Sequence, residues 1–387
     1  MRLLMLWVCF VFASLQAHAQ DTSACTGGPC GTDLVYFGTR VSGTGQGIVG
    51  AHFDPNSGHL SPIGIVADIA RPTWLIAHWK LPVVYAVSEL GNDGLTEANV
   101  YSLAVDRVTG GLHVMNGVGS GGGGATHLAV DPVSNTLFVA NYGTGQVSWL
   151  PILPDGRIGI AMSVQSDYGT GPHRRQAAPH AHGVEVDPTH HFVLAADLGA
   201  DRLFVYRFDP ATRQLTPGDP PFTAVSAGSG PRHLAFHPNG RFVYLVTELS
   251  AQIIAYRWDG RRGRLRHLQT LSVDEASFKG EKSGAHIELS HDGRYLYAVD
   301  RGANSMVVYA VSSQTGLLSE VQRVSCQGQV PWSFSLDPRG HWLLVANHGS
   351  NSITEFAVDS STGRLTVTQE SLSISQPSAV TFLPGTE

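Results

Sequence analysis

One unit recurs seven times along this chain, and that repetition constrains the fold more than any single motif does. Its first element is an apolar alternation closing on Pro or a close equivalent, as in ATHLAVDP at 125–132 and PRHLAFHP at 231–238. It returns at 72–79, 181–188, 285–291, 331–338 and 377–384. A second, more continuous apolar run follows a short turn that often carries Gly-Arg. It occupies 34–39, 83–88, 137–141, 192–197, 242–246, 295–299 and 342–347. A third run, such as 203–206 or 306–309, leads through an Asp-Pro or Ser-rich turn and a Gly into a fourth, such as 363–367. Short β-branched and aromatic runs bounded by Gly, Pro, Asn and Asp read as strands. Four strands per unit at a spacing of about 50 residues predict the blades of a β-propeller.

The order of the copies adds a constraint. The chain opens on a second-type strand at 34 and ends on a first-type strand at 377–384. A ring built this way closes when the C-terminal strand pairs with the N-terminal blade, which removes free sheet edges. The expectation is an all-β, seven-bladed propeller of four-stranded blades, a single domain over 32–387 and a monomer. An open solenoid is the rival, but offset termini serve no purpose there. The 44 glycines suit many tight turns, and 42% hydrophobic residues suit a large core. Only 14% of residues are charged and the net charge is −6, so there is no basic surplus for nucleic acid.

Residues 1–19 form an address rather than structure. Arg2 precedes an apolar stretch at 3–15, and Ala17-His18-Ala19 supplies the small-x-small cleavage pattern. The stretch is too short to span a bilayer. The reading is a cleaved signal peptide, a periplasmic or secreted protein, no membrane association, and a linker at 20–31. Cys25 and Cys30 flank a turn in that linker and are candidates for a disulfide, which leaves Cys326 as the odd thiol.

A repeat carries its own control, because residues needed by the fold recur while functional ones stand out at a shared position. Just past the second strand the copies carry Arg40, Glu89, Tyr142, Leu198, Glu248, Arg301 and His348. The start of the first strand carries Thr73, Thr126, His182, Arg232, Ala285, Trp332 and Ser378. In a closed ring both sets converge on one mouth of the central channel. His182, Arg232, Glu248 and Arg301 come from adjacent copies and form one candidate cluster.

At these residues the chain resembles the seven-bladed propeller lactonase family, which includes a phosphogluconolactonase and a carboxymuconate cycloisomerase. The resemblance rests on Tyr36-Phe37-Gly38-Thr39, the 128–132 and 139–143 stretches, His180-Ala181-His182-Gly183, the 196–201 stretch and Gly230-Pro231-Arg232-His233. It implies a catalytic set of His182, Arg232, Glu248 and Arg301. His182 or Glu248 would transfer the proton, and the arginines would bind substrate anion and oxyanion. His180, Arg40, Glu89 and His348 are expected as substrate contacts. Arg40 and Thr247 depart from the family's usual residues. The expected substrate is a small anionic sugar lactone, with no metal and no organic cofactor. The alternatives are a carboxymuconate-type cycloisomerase and a non-catalytic propeller binding protein or polysaccharide in the envelope.

Overall fold

The computed structural model describes residues 31–41 and 47–383. The signal segment, Cys25 and Cys30 lie outside the described residues; Cys326 is a buried free thiol. Strands run in chain order from β1 (Asp33–Thr39) to β28 (Pro377–Leu383), with no helix among the described residues. They form seven four-stranded sheets. Six consist of four consecutive strands. The seventh takes β28 as its inner strand, followed by β1, β2 (Ile48–Phe53) and β3 (Leu60–Ala67). The antiparallel pairing of β28 with β1 runs from Leu34↔Leu383 to Thr39↔Pro377, so the chain's two ends complete one blade.

The inner strands are β4 (Leu75–Ala77), β8 (Ala125–Asp131), β12 (Ala181–Val186), β16 (Pro231–Phe236), β20 (Gly284–Leu289), β24 (Pro331–Leu336) and β28. Each touches the next around the axis, and β28 touches β4. The ring is closed. Its core is divided into seven apolar clusters, each shared by two neighbouring blades. Second strands such as β5 (Val83–Ser88), β13 (Phe192–Asp197) and β17 (Phe242–Thr247) are buried along their whole length. Burial on both faces is why they read as continuous rather than alternating runs.

Glycine before the fourth strand latches one blade to the next. The hydroxyls of Tyr36, Tyr85, Tyr244 and Tyr297 donate to the carbonyls of Gly110, Gly156, Gly316 and Gly363 at 3.0–3.2 Å. These glycines have φ of +70° to +88°, and a Cβ on Gly316 would lie 2.3 Å from the ring of Phe242. Only glycine meets both demands. The strand lengths depart from the sequence reading at two places. β4 spans only the three residues Leu75–Ala77 of the run read at 72–79. Outer strands such as β27 (Leu365–Ser373) run well past the short fourth runs read from sequence.

Candidate active site

The two residue sets that stand out in sequence form one rim, and the backbone shows why. The residue after each second strand donates its N–H to the carbonyl two positions before the first-strand residue of the same blade. The seven bonds are Arg40→Gln376, Glu89→Arg71, Tyr142→Gly124, Leu198→His180, Glu248→Gly230, Arg301→Ser283 and His348→Val330, at 2.7–3.1 Å. In β8, β12, β16 and β24 the ladder then skips one residue: Thr126, His182, Arg232 and Trp332. Such a bulge leaves a residue unpaired and re-aims its side chain. Gly183 tightens the arrangement, since a Cβ there would lie 2.3 Å from the Arg232 carbonyl. The β12 and β16 backbones therefore meet, and His182 and Arg232 stand side by side.

Glu248 is the hub. Its Oε2 accepts from Arg232 Nε at 3.0 Å and Arg301 Nη2 at 3.0 Å, and lies 3.7 Å from His182 Nε2. Its Oε1 accepts from Arg175 Nη1, and Arg175 Nη2 donates to the Tyr142 hydroxyl at 3.0 Å. A second acid is held in the same manner. Glu89 lies 3.3 Å from Arg40 and 3.5 Å from Arg71, and accepts from Asn92 Nδ2 at 2.7 Å. The Trp332 ring joins the two groups, with the guanidinium carbons of Arg40 and Arg301 at 4.6 and 4.5 Å from its centroid. Between them lies a cleft of about 580 Å³ lined by Arg40, Glu89, Arg175, His182, Arg301 and Trp332 among others.

The electrostatics assign states. Burial alone would raise the Glu248 pKa, but Arg301, Arg232, His182 and Arg175 outweigh it and hold the carboxylate well below its usual range. Burial first, and Arg232 second, push His182 well below the ordinary imidazole range despite Glu248, so the ring is neutral at neutral pH. His182 Nδ1 is buried without a partner. Burial and then Arg301 bring Arg232 down to about 9, which still leaves it a cation. Among the described residues no group of three or more His, Cys, Asp or Glu is arranged to hold a metal.

His182, Glu248 and Arg301 meet at the cleft, and Arg40 and Glu89 line its other wall. Arg232 belongs to the cluster but lies behind it, 1% exposed, with Nη1 donating to the Ala285 carbonyl; it reaches the cleft through Glu248, not directly. His180 stands outside the lining and stacks on Tyr142 at 4.5 Å, with Nδ1 2.7 Å from the Tyr142 carbonyl. His348 packs against Trp332 at 5.0 Å. Thr247 faces away from the cleft and accepts from Gln252 N, closing the turn. Tyr142 and Trp332 occupy the two marked positions of the repeat, so the signal for them was present. Arg175 has no repeat position, because it arrives on the connection between β11 (Ser163–Ser166) and β12. Position in the repeat cannot find such a residue.

The chain is thus a closed seven-bladed β-propeller with an arginine-bound carboxylate and a neutral histidine at one mouth. A family model described as Lactonase, 7-bladed beta-propeller matches residues 34–382, and the chain belongs to that family of lactone-hydrolysing enzymes. It is 32% identical over 303 residues to a 6-phosphogluconolactonase of Bacillus subtilis, covering 78% of this chain and 84% of that one. The solved structure of a periplasmic gluconolactonase of Pseudomonas aeruginosa is similar at a TM-score of 0.85 and 35% identity, covering 91% of this chain and 99% of that one. A Lactobacillus plantarum protein gives a TM-score of 0.83 at 30% identity, over 91% and 99% of the two chains.

Proposed function

We propose that the rim cleft hydrolyses a sugar lactone of the gluconolactone type, in the periplasm, with His182 as the proton-transfer group. The observation that carries this reading is Glu248, buried and bound by three guanidiniums, 3.7 Å from a neutral imidazole that lines the cleft. Both oxygens of Glu248 are occupied by guanidiniums, so the carboxylate has no free lone pair aimed at a water. It is a good counter-ion for the imidazolium that forms when His182 takes a proton from the attacking water. Arg301 and Arg175 line the same cleft and supply positive charge for the developing oxyanion. The ring-opened alkoxide then recovers the proton from His182.

The charge balance of the mouth supports an anionic substrate. Five arginines stand on Glu89 and Glu248 there and Glu281 also lines the cleft, so five guanidiniums face three carboxylates and positive charge remains for a carboxylate or phosphate on the sugar. The signal-like residues 1–19 and the periplasmic relative support the location. The test is acid release, followed in a pH-stat, from δ-gluconolactone and 6-phosphogluconolactone by the native protein and His182→Gln. The variant is expected to lose about 100-fold or more in kcat. Turnover within threefold of the native enzyme removes His182 from the role. Conversion of a carboxymuconate with neither sugar lactone hydrolysed replaces the reading with the cycloisomerase.

A further inference from the structure

Below the rim, the side chain that ends the second strand reaches the neighbouring blade at five of the seven junctions. At three of them this contact is neutral. Ser120 Oγ donates to Asn141 Oδ1 at 2.7 Å, Asn347 Nδ2 to the Cys326 carbonyl at 3.4 Å, and Ser88 Oγ to the Ala70 carbonyl at 2.7 Å. Two junctions instead set carboxyl against carboxyl within hydrogen-bond reach: Asp167 against Asp197, and Asp274 against Asp300. All four side chains are buried.

The atoms require a proton in each pair. Asp167 Oδ1 takes the Tyr206 hydroxyl, and Asp197 Oδ1 accepts the N–H groups of His180 at 2.9 Å and Ala200 at 2.7 Å. Oδ2 of both aspartates has no other partner. In the second pair Asp300 Oδ1 accepts Gly302 N–H at 2.8 Å, while Asp300 Oδ2 and both Asp274 oxygens lack any donor. Two buried carboxylates in contact repel, whereas one shared proton turns the contact into a hydrogen bond.

Both pairs sit at the roots of the cleft. Asp167 and Asp197 bracket the segment 168–180 that delivers Arg175 and His180. Asp300 directly precedes Arg301, and Asp274 opens the segment 275–283 that brings Glu281 and Ser283 to the cleft lining. We propose that each acid pair is a clasp closed by one proton, which makes Asp167, Asp197, Asp274 and Asp300 positioning residues for the lactone reaction. The activity half of this inference rests on the reading above; the shared protons do not.

Burial first and Asp197 second push Asp167 well above the carboxylate range. Burial, and then the bond to Asp274, bring Asp300 to about 7. Groups with raised folded values lose their contribution as pH rises through those values, so the Asp274–Asp300 clasp opens around neutral pH and the Asp167–Asp197 clasp opens above the ordinary carboxylate range. The titratable groups facing them are Tyr206 of β14 (Arg202–Asp209) and His180 at the first pair. At the second they are Tyr309 of β22 (Ser305–Val311) and Cys326; the charged neighbours are Arg202, which donates to the Tyr168 carbonyl beside Asp167, and Arg323, which donates to the Val273 carbonyl beside Asp274.

The experiment compares Asp167→Asn and Asp274→Asn, which keep a donor without a titrating proton, with the native full-length enzyme. Infrared difference spectra at pH 6 are expected to show one protonated-carboxyl band lost in each variant, with the contributions of Glu185 and Glu288 unchanged. The alkaline limb of kcat/KM is expected to move up by about one pH unit or more in the double Asn variant. The Ala variants, which cannot bridge, are expected to lower kcat about 10- to 100-fold. Unchanged infrared bands overturn the shared protons whether or not any lactone is turned over. Lost bands with an unmoved alkaline limb overturn the positioning role.

Discussion

Replacing Glu248 by Gln keeps the side chain's shape and removes its charge from beneath three guanidiniums. Arg232 and Arg301 are then left 1% and 8% exposed with no counter-ion. Breaking a buried pair from one side costs about 3–5 kcal/mol. The ring spans roughly 350 residues from β1 to β28, and at ~2.1 cal/mol/K per residue its unfolding entropy is ~0.7 kcal/mol/K. The expected fall in Tm is therefore about 4–7 °C at pH 7, read by calorimetry. Arg175→Met is the comparison. That side chain is 38% exposed and its loss leaves Glu248 two other arginines, so about 1 kcal/mol and under about 2 °C are expected. Both variants lose lactone turnover, because both disturb the cleft. The pH dependence has a definite sign. The folded carboxylate is depressed, so its contribution is complete above the unfolded value of ~4.3 and disappears as pH falls below it. The gap in Tm between native and Glu248→Gln closes in acid. A Glu248→Gln protein melting within a degree of native at pH 7, or an Arg175→Met protein just as destabilised, would refute the hub.

Glu185 and Glu288 face the lower half of the channel, where burial raises each to about 8. Their contribution is lost as pH rises from the unfolded value toward 8, so native stability falls over that window by up to about 1.4 kcal/mol per pH unit and group, and Tm falls with it. The double Gln variant should show a flatter curve in thermal melts from pH 5 to 9, and parallel curves would contradict the burial argument. Trp332→Leu removes the two short cation–ring contacts of Arg40 and Arg301, ~0.5–1 kcal/mol each, beside a longer one from Arg232 at 5.8 Å. Calorimetry should show Tm lowered by about 1.5–3 °C, and freeing Arg40 and Arg301 should raise KM more than it lowers kcat in steady-state kinetics.

How much was legible in the sequence follows from what repetition can encode. The seven copies and the offset between first and last strand implied both the ring and its closure through β28, because only one pairing satisfies both ends. The same repetition marked the rim. Residues 40, 89, 142, 198, 248, 301 and 348 make one and the same backbone bond, so they share one height on the axis. Side-chain direction was not encoded in this way. Arg232 and His182 hold matching positions, yet the close approach at Gly183 and the bond to the Ala285 carbonyl turn Arg232 behind Glu248 and leave His182 at the cleft.

The sequence by itself determined the strand pattern, the blade count and the set of side chains able to meet, since periodicity and chain order are local properties of a repeat. Tertiary structure alone decided which of them carry which charge and which reach the cleft. Arg175 arrives on a connection with no counterpart in the other blades, and the ionisation of Glu248, His182 and the paired aspartates depends on neighbours as distant in the chain as Arg301 is from His182. Burial and Coulomb forces act through space, and no pattern along the chain records them.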